Sequence, residues 1–142
     1  MFDFTMLNDY EFESLCKDIM QIKLEKALFI FPRGVDQGID ICDKEVVPGI
    51  MIQVKHYANS SFSDLKRSLK KEVPKVGKHK PNKYFIMTSY SLTRQNKIEI
   101  LNLFPNYMED ISSIWGKDDL DSFLSEQKNA SDQCLPLLFS LK

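Results

Sequence analysis

No stretch of this chain approaches the roughly eighteen consecutive apolar residues that a bilayer-spanning helix requires. Its N-terminal segment carries Asp3 and Asp9 where a secretion signal would be basic. A membrane span and an export signal are therefore excluded as readings of the sequence, and a cytoplasmic protein is expected. Histidine is scarce, with His56 and His79 too far apart to suggest a histidine-based metal centre. The three cysteines, Cys16, Cys42 and Cys134, are odd in number and match no zinc spacing, so buried free thiols are expected. The chain also lacks an internal repeat, a heptad pattern and a glycine-rich phosphate loop, which places any NTPase partner outside it.

What is present is enough for one well-cored domain: 142 residues, 16.5 kDa and 43% hydrophobic content. Asn8 and Glu11 have capping-box spacing ahead of a helical stripe of Phe12, Leu15, Ile19 and Ile22, widened by Cys16 and Met20. Glu13 lies beside that stripe, placed to look along it into a cleft. A short apolar run over 27–31, stopped by Pro32, reads as the first strand. Ser61 and Asp64 open a second helix with Leu65, Leu69 and Val73 toward the core, and Pro74 is expected to end or kink it. Residues 84–88 read as a central strand. Thr93 caps a helix to about 103, 111–115 reads as a last strand, and Asp118 starts a short helix through Leu124. This alternation predicts an α/β sandwich with parallel pairing in its later half.

The stretch over 34–55 concentrates the chemistry. Two alternating segments, 38–42 and 50–55, are joined by a turn-rich connector containing Asp43, Lys44, Pro48 and Gly49, and read as a β-hairpin with a long loop. Strand alternation sends Ile50, Ile52 and Val54 to one face and Met51, Gln53 and Lys55 to the other, with Ile39 and Ile41 opposed to Asp40. If the isoleucine faces share the core, Asp40, Gln53 and Lys55 stand together: a carboxylate, an amide oxygen and an ammonium. Such a set suits a hard divalent cation that keeps waters and meets a substrate phosphate.

The order of Phe12-Glu13-x-Leu15-Cys16, Gly38-Ile39-Asp40 and Gln53-Val54-Lys55-His56-Tyr57 resembles the Mrr-type branch of the PD-(D/E)XK nucleases. The opening segment and the Thr88-Ser89 to Asn96-Lys97 region resemble nuclease domains found at the N-terminus of bacterial antiphage STAND-type NTPases. The resemblance covers about 4–124, and is specific around Asp40 and Lys55 and loose elsewhere. It implies a restriction-endonuclease-like three-layer α/β sandwich with a central mixed sheet over 1–126. Residues 127–142 would be a C-terminal tail serving as an interface or as the edge of a longer protein. It further implies that Asp40 is the central metal ligand, that Gln53 stands where the broader superfamily has an acid, that Lys55 is the motif lysine, and that Glu13 is the acid of the first helix. Gln53 and the Val54 carbonyl would complete the metal ligands. A neutral Gln53 weakens cation affinity, so millimolar Mg²⁺ or Mn²⁺ would be needed.

Charge is the second functional clue. Residues 66–83 hold eight Lys or Arg and one acid, Glu72, within a chain of net charge −1. Lys66, Arg67, Lys70 and Lys71, with His56 and Tyr57 after the motif lysine, are the expected DNA contacts. The expectation is a Mg²⁺-dependent endodeoxyribonuclease acting in bacterial defence, a homo-oligomer when both strands are cut, with a STAND-type NTPase as a further partner. A catalytically inactive nucleic-acid-binding or assembly module, and a nuclease for RNA or branched DNA, stand as alternatives.

Overall fold

The computed structural model describes residues 2–31, 41–44, 49–57 and 59–130, with side chains through 127. Asp40, the rest of the 32–40 stretch, Pro48 and the 131–142 tail lie outside the described residues. Five strands form one mixed sheet in the order β1 (Phe29–Ile30), β2 (Ile41–Cys42), β3 (Ile50–Lys55), β4 (Lys83–Thr88) and β5 (Ile114–Trp115). The first three pair antiparallel and the last three parallel. The expected α/β sandwich, parallel in its later half, is thus observed.

Helix α1 (Asp9–Leu24) opens with the expected capping box. The Asn8 side chain accepts from the Glu11 N–H, and Glu11 in turn accepts from the Asn8 N–H. Its stripe of Phe12, Leu15, Cys16, Ile19 and Met20 is fully buried. At about 1.5–3 kcal/mol per large apolar side chain, that stripe anchors the helix to the sheet far more strongly than its cap does. Together with Leu120 and Leu124 of α5 (Lys117–Ala130), it covers the face formed by Ile41, Ile52, Val54, Met87 and Trp115.

Alternation sends the intervening strand residues to the other face. There Cys42, Met51, Tyr84, Ile86 and Ile114 pack against Leu65 and Leu69 of α2 (Phe62–Lys70), Val76 of α3 (Val73–His79) and Ile100 of α4 (Arg94–Leu101). Both parallel crossovers, β3 to β4 through α2 and α3 and β4 to β5 through α4, thus lie on one side of the sheet, as steady progression in one direction with constant handedness requires. The result is three layers.

Four local expectations are corrected. Pro74 neither ends nor kinks the second helix: α2 stops at Lys70, and Pro74 sits in the first turn of α3, where its missing N–H is not needed. The last strand is only Ile114–Trp115, because the Asp110 side chain accepts from the Ser112 N–H and winds 111–113 into a 3-10 turn. The final helix runs to Ala130, past Leu124 where the short helix was expected to end. The first strand is confined to Phe29–Ile30. Gly116 is required where it stands, since a β-carbon there would lie 3.0 Å from the Tyr90 carbonyl oxygen and press on Leu92.

Candidate functional site

Strand β3 is central and buried on both faces, pairing residue for residue with β4 from Ile50↔Lys83 to Lys55↔Thr88. Gln53 and Lys55 share the face of Met51, the side covered by α2, α3 and α4, while Ile52 and Val54 seal against α1. The predicted parity is therefore observed, but the polar face is not open surface. Gln53 is 4% exposed beneath a helical layer.

Lys55 ends β3 with its Nζ 2.8 Å from Glu72 Oε2, the two side chains 14% and 8% exposed. Glu72 occupies the corner between α2 and α3. Its N–H donates to the Leu69 carbonyl, its own carbonyl accepts from the Val76 N–H, and its second oxygen lies 3.6 Å from Lys75 Nζ. The sequence reading counted Glu72 only as a stray acid in a basic segment. That isolation was the available signal, because one acid among eight bases needs a reason to be there.

His56, expected from the sequence as a DNA contact, is built into the structure. Its Nε2 lies 2.8 Å from the Leu7 carbonyl oxygen, which can only accept, so that nitrogen carries a proton. Its Nδ1 lies 2.8 Å from Ser89 Oγ, and the ring stacks on Phe12 at 4.6 Å. These contacts clamp the start of α1 to the carboxyl end of β3 and bring Glu13, the residue after Phe12, to the same end of the sheet. Glu13 is buried there. Tyr57 is half-buried against the α2–α4 side.

The basic residues divide by role. Lys66 is half-buried and pairs with Glu99 of α4 at 2.9 Å, bracing the two helices. Arg67 pairs with Asp64 at 3.0 Å on the surface, a contact worth at most about 1 kcal/mol. Lys70 and Lys71 are exposed and make no ion pair among the described residues. Like Lys78 of α3, they are available to an external phosphate.

The donor atoms at this end of β3 suit a hard cation and no soft one. Both His56 nitrogens are engaged, so no imidazole is on offer. Toward the other end of β3, beside Met51, burial and then the charge of Asp43 push the Cys42 thiol up to about 11. The Gln53 amide, the Glu13 carboxylate and main-chain carbonyls are oxygen donors of the type that fits Mg²⁺, Mn²⁺ or Ca²⁺, whereas Glu72 is taken by Lys55 and Lys75. Among the described residues no three His, Cys, Asp or Glu side chains gather to hold a metal. Asp43 is spent on structure, closing the β2–β3 connection by accepting from the Gly49 and Ile50 N–H groups.

A relative of similar sequence is the uncharacterized protein y4cD of Sinorhizobium fredii (strain NBRC 101917 / NGR234). It is 30% identical over 123 residues, which is 87% of this chain and 19% of that protein. The chain thus spans about a fifth of the relative's length. No protein-family model matches the chain, and no solved structure matches it significantly. Among the described residues no helix is long and apolar enough to cross a membrane.

A separate cleft of about 300 Å³ lies by the edge strand β5, lined by Lys23, Lys97, Trp115, Asp119, Phe123 and Glu126 among others. None of the residues singled out from the sequence borders it. The Lys97–Asp119 pair, at 2.6 Å, ties α4 to α5 across it.

Proposed function

We propose that the chain is a metal-dependent endonuclease domain that hydrolyses DNA phosphodiester bonds. The observation that carries this reading is the placement of Gln53 and Lys55 on one face of the central strand, with Lys55 at its carboxyl end, where ligands of open α/β sheets bind. The exposed Lys70 and Lys71 on the helical layer over that face support it.

Asp40, the Gln53 amide oxygen and the Val54 carbonyl would hold Mg²⁺, with Mn²⁺ able to replace it. When bound, the cation supplies positive charge against the scissile phosphate and makes water more acidic. The Lys55 ammonium, fixed by Glu72, stabilises the charge growing on the phosphate oxygens and orients the attacking water. Glu13 accepts a hydrogen bond from water at the same end of the sheet. As the water oxygen bonds to phosphorus, the bond to the leaving sugar oxygen breaks. The water's proton passes to solvent and the leaving oxygen takes one up, giving one phosphate end and one hydroxyl end. Lys70 and Lys71 line the path of the DNA backbone, while Lys66, Arg67 and His56, expected as further contacts, are engaged by Glu99, Asp64, and Leu7 and Ser89.

One such site cuts one strand, so double-strand cleavage calls for a homo-oligomer. The match to a fifth of a longer protein supports a module of a larger protein; that this protein is cytoplasmic, works with a STAND-type NTPase and acts against foreign DNA in bacteria is part of the proposal and rests on the sequence resemblance.

Plasmid nicking in Mg²⁺ and in Mn²⁺ tests the proposal. Wild type is expected to nick, and Lys55→Ala and Asp40→Ala, at matched folding, to lose at least about a hundredfold in rate. Salt-sensitive DNA binding without nicking in either metal would replace the proposal with a non-catalytic binding module. Preferential cutting of RNA or of branched DNA in the same assay would change the substrate and keep the site.

A further inference from the structure

We propose that Glu72 is the positioning residue of Lys55, fixing its ammonium at the carboxyl end of β3. Its consequence for catalysis rests on the nuclease reading of Lys55; its structural content rests on the ion pair alone.

A lysine head group on four methylenes is mobile unless something holds it, and an ammonium 14% exposed needs a counter-charge close by. Glu72 supplies both. Its carboxylate oxygen is 2.8 Å from Nζ, and its backbone is held on either side, through Leu69 into the end of α2 and through Val76 into α3. The partner of the mobile group is thus a rigid one. The surrounding charge distribution points the same way. Glu72 is the lone acid of 66–83, and it is 6% exposed, whereas Lys70, Lys71, Lys78 and Lys80 around it are exposed. The segment turns its bases outward and its one acid inward onto Lys55.

An ammonium engaged by a carboxylate can donate hydrogen bonds and stabilise anionic oxygens, but it has no lone pair with which to take a proton from water. Held by Glu72, the Lys55 ammonium acts through orientation and charge. Removing the carboxylate charge should release the side chain to several rotamers and misplace the ammonium. DNA affinity, carried by the outward lysines, should be spared.

The test uses the full chain as wild type, Glu72→Gln and Glu72→Asp, each checked for folding by circular dichroism and thermal unfolding. The first readout needs no activity. Lysines are acetylated with limiting N-hydroxysuccinimide acetate, and labelling of Lys55 is compared with that of Lys66 by peptide mass spectrometry. Glu72→Gln is expected to raise Lys55 labelling on the order of tenfold, with Glu72→Asp in between. The second readout is nicking in Mg²⁺, where Glu72→Gln should lower kcat about 10- to 100-fold with KM changed less than about twofold. Glu72→Asp should restore part of the rate.

Unchanged Lys55 labelling overturns the proposal, as does a raised KM with kcat intact. If no form nicks DNA, the nuclease reading falls, and the labelling alone decides whether Glu72 holds Lys55. If Glu72→Gln does not fold, Glu72→Asp carries the test: increased labelling supports the ion pair as the restraint, and wild-type labelling overturns it.

Discussion

The two faces of the sheet solve different problems with the same backbone. On the α1 and α5 side the strands present Ile41, Ile52, Val54, Met87 and Trp115 to an almost wholly apolar helix layer, and the packing there needs no charge to close it. On the α2, α3 and α4 side an equally tight core of Met51, Tyr84, Ile86 and Leu69 gives way, toward the carboxyl end of β3, to buried Gln53 and the Lys55–Glu72 pair. An apolar seal of similar volume would stabilise that corner at least as well, since the desolvation of two charges offsets much of their attraction. The difference teaches that the second face gives up stability where the chemistry is proposed, and that the first face supplies the support.

Matched truncations probe that division most strongly. Leu15→Ala on the first face and Leu69→Ala on the second, both at fully buried positions, should each lower unfolding free energy by about 2–5 kcal/mol in urea titrations. They should part company in activity. Leu15→Ala should nick DNA in proportion to its folded fraction, whereas Leu69→Ala should lose more than its folded fraction explains, because the Leu69 side chain packs down the end of α2 whose carbonyl positions the Glu72 N–H. Equal losses would erase the distinction between the faces.

A smaller effect is expected at the outer surface of the second face. Replacing Lys70 and Lys71 together by alanine should weaken DNA binding and reduce the slope of log affinity against log salt by up to about 2, roughly one per phosphate contact. An unaltered slope would move the DNA path away from α2. The kcat of the bound complex should be kept, in contrast to Glu72→Gln.

The smallest effect concerns Cys42, on the second face beside Met51. Its folded thiol is raised to about 11 from an ordinary value near 9, chiefly by burial and next by Asp43. The neutral thiol is thus favoured by folding, and the associated stability is fully present below about pH 9 and is lost as pH rises through about 11. Thermal unfolding across that range should show a falling midpoint that Cys42→Ser lessens. Iodoacetamide at pH 8 should leave Cys42 unmodified in the native protein.

How much of this was legible in the sequence follows from the range of the interactions. The capping box of Asn8 with Glu11, the Thr93 and Ser61 caps and the face parity of β3 are local, set by residues within a turn or by alternation, and the structure has them as expected. The shortness of β5 was missed because the Asp110 side chain winds 111–113 into a turn that competes with the strand, and the length of α5 because helix ends are weakly marked by propensity. Pro74 was misplaced because a proline that stops one helix is also the preferred first-turn residue of the next.

The sequence by itself determined an α/β sandwich with parallel pairing in its later half, through strand alternation and helix stripes, and it brought Gln53 and Lys55 to one face. Tertiary structure alone decided what meets them. Glu72, seventeen positions after Lys55, reaches the Lys55 ammonium only because α2 and α3 fold back over β3. His56 loses its freedom only because α1 returns Leu7 and Phe12 to it. Local patterns specify which way a side chain points, while the partner it finds depends on loop closures and layer packing that no short window of sequence contains.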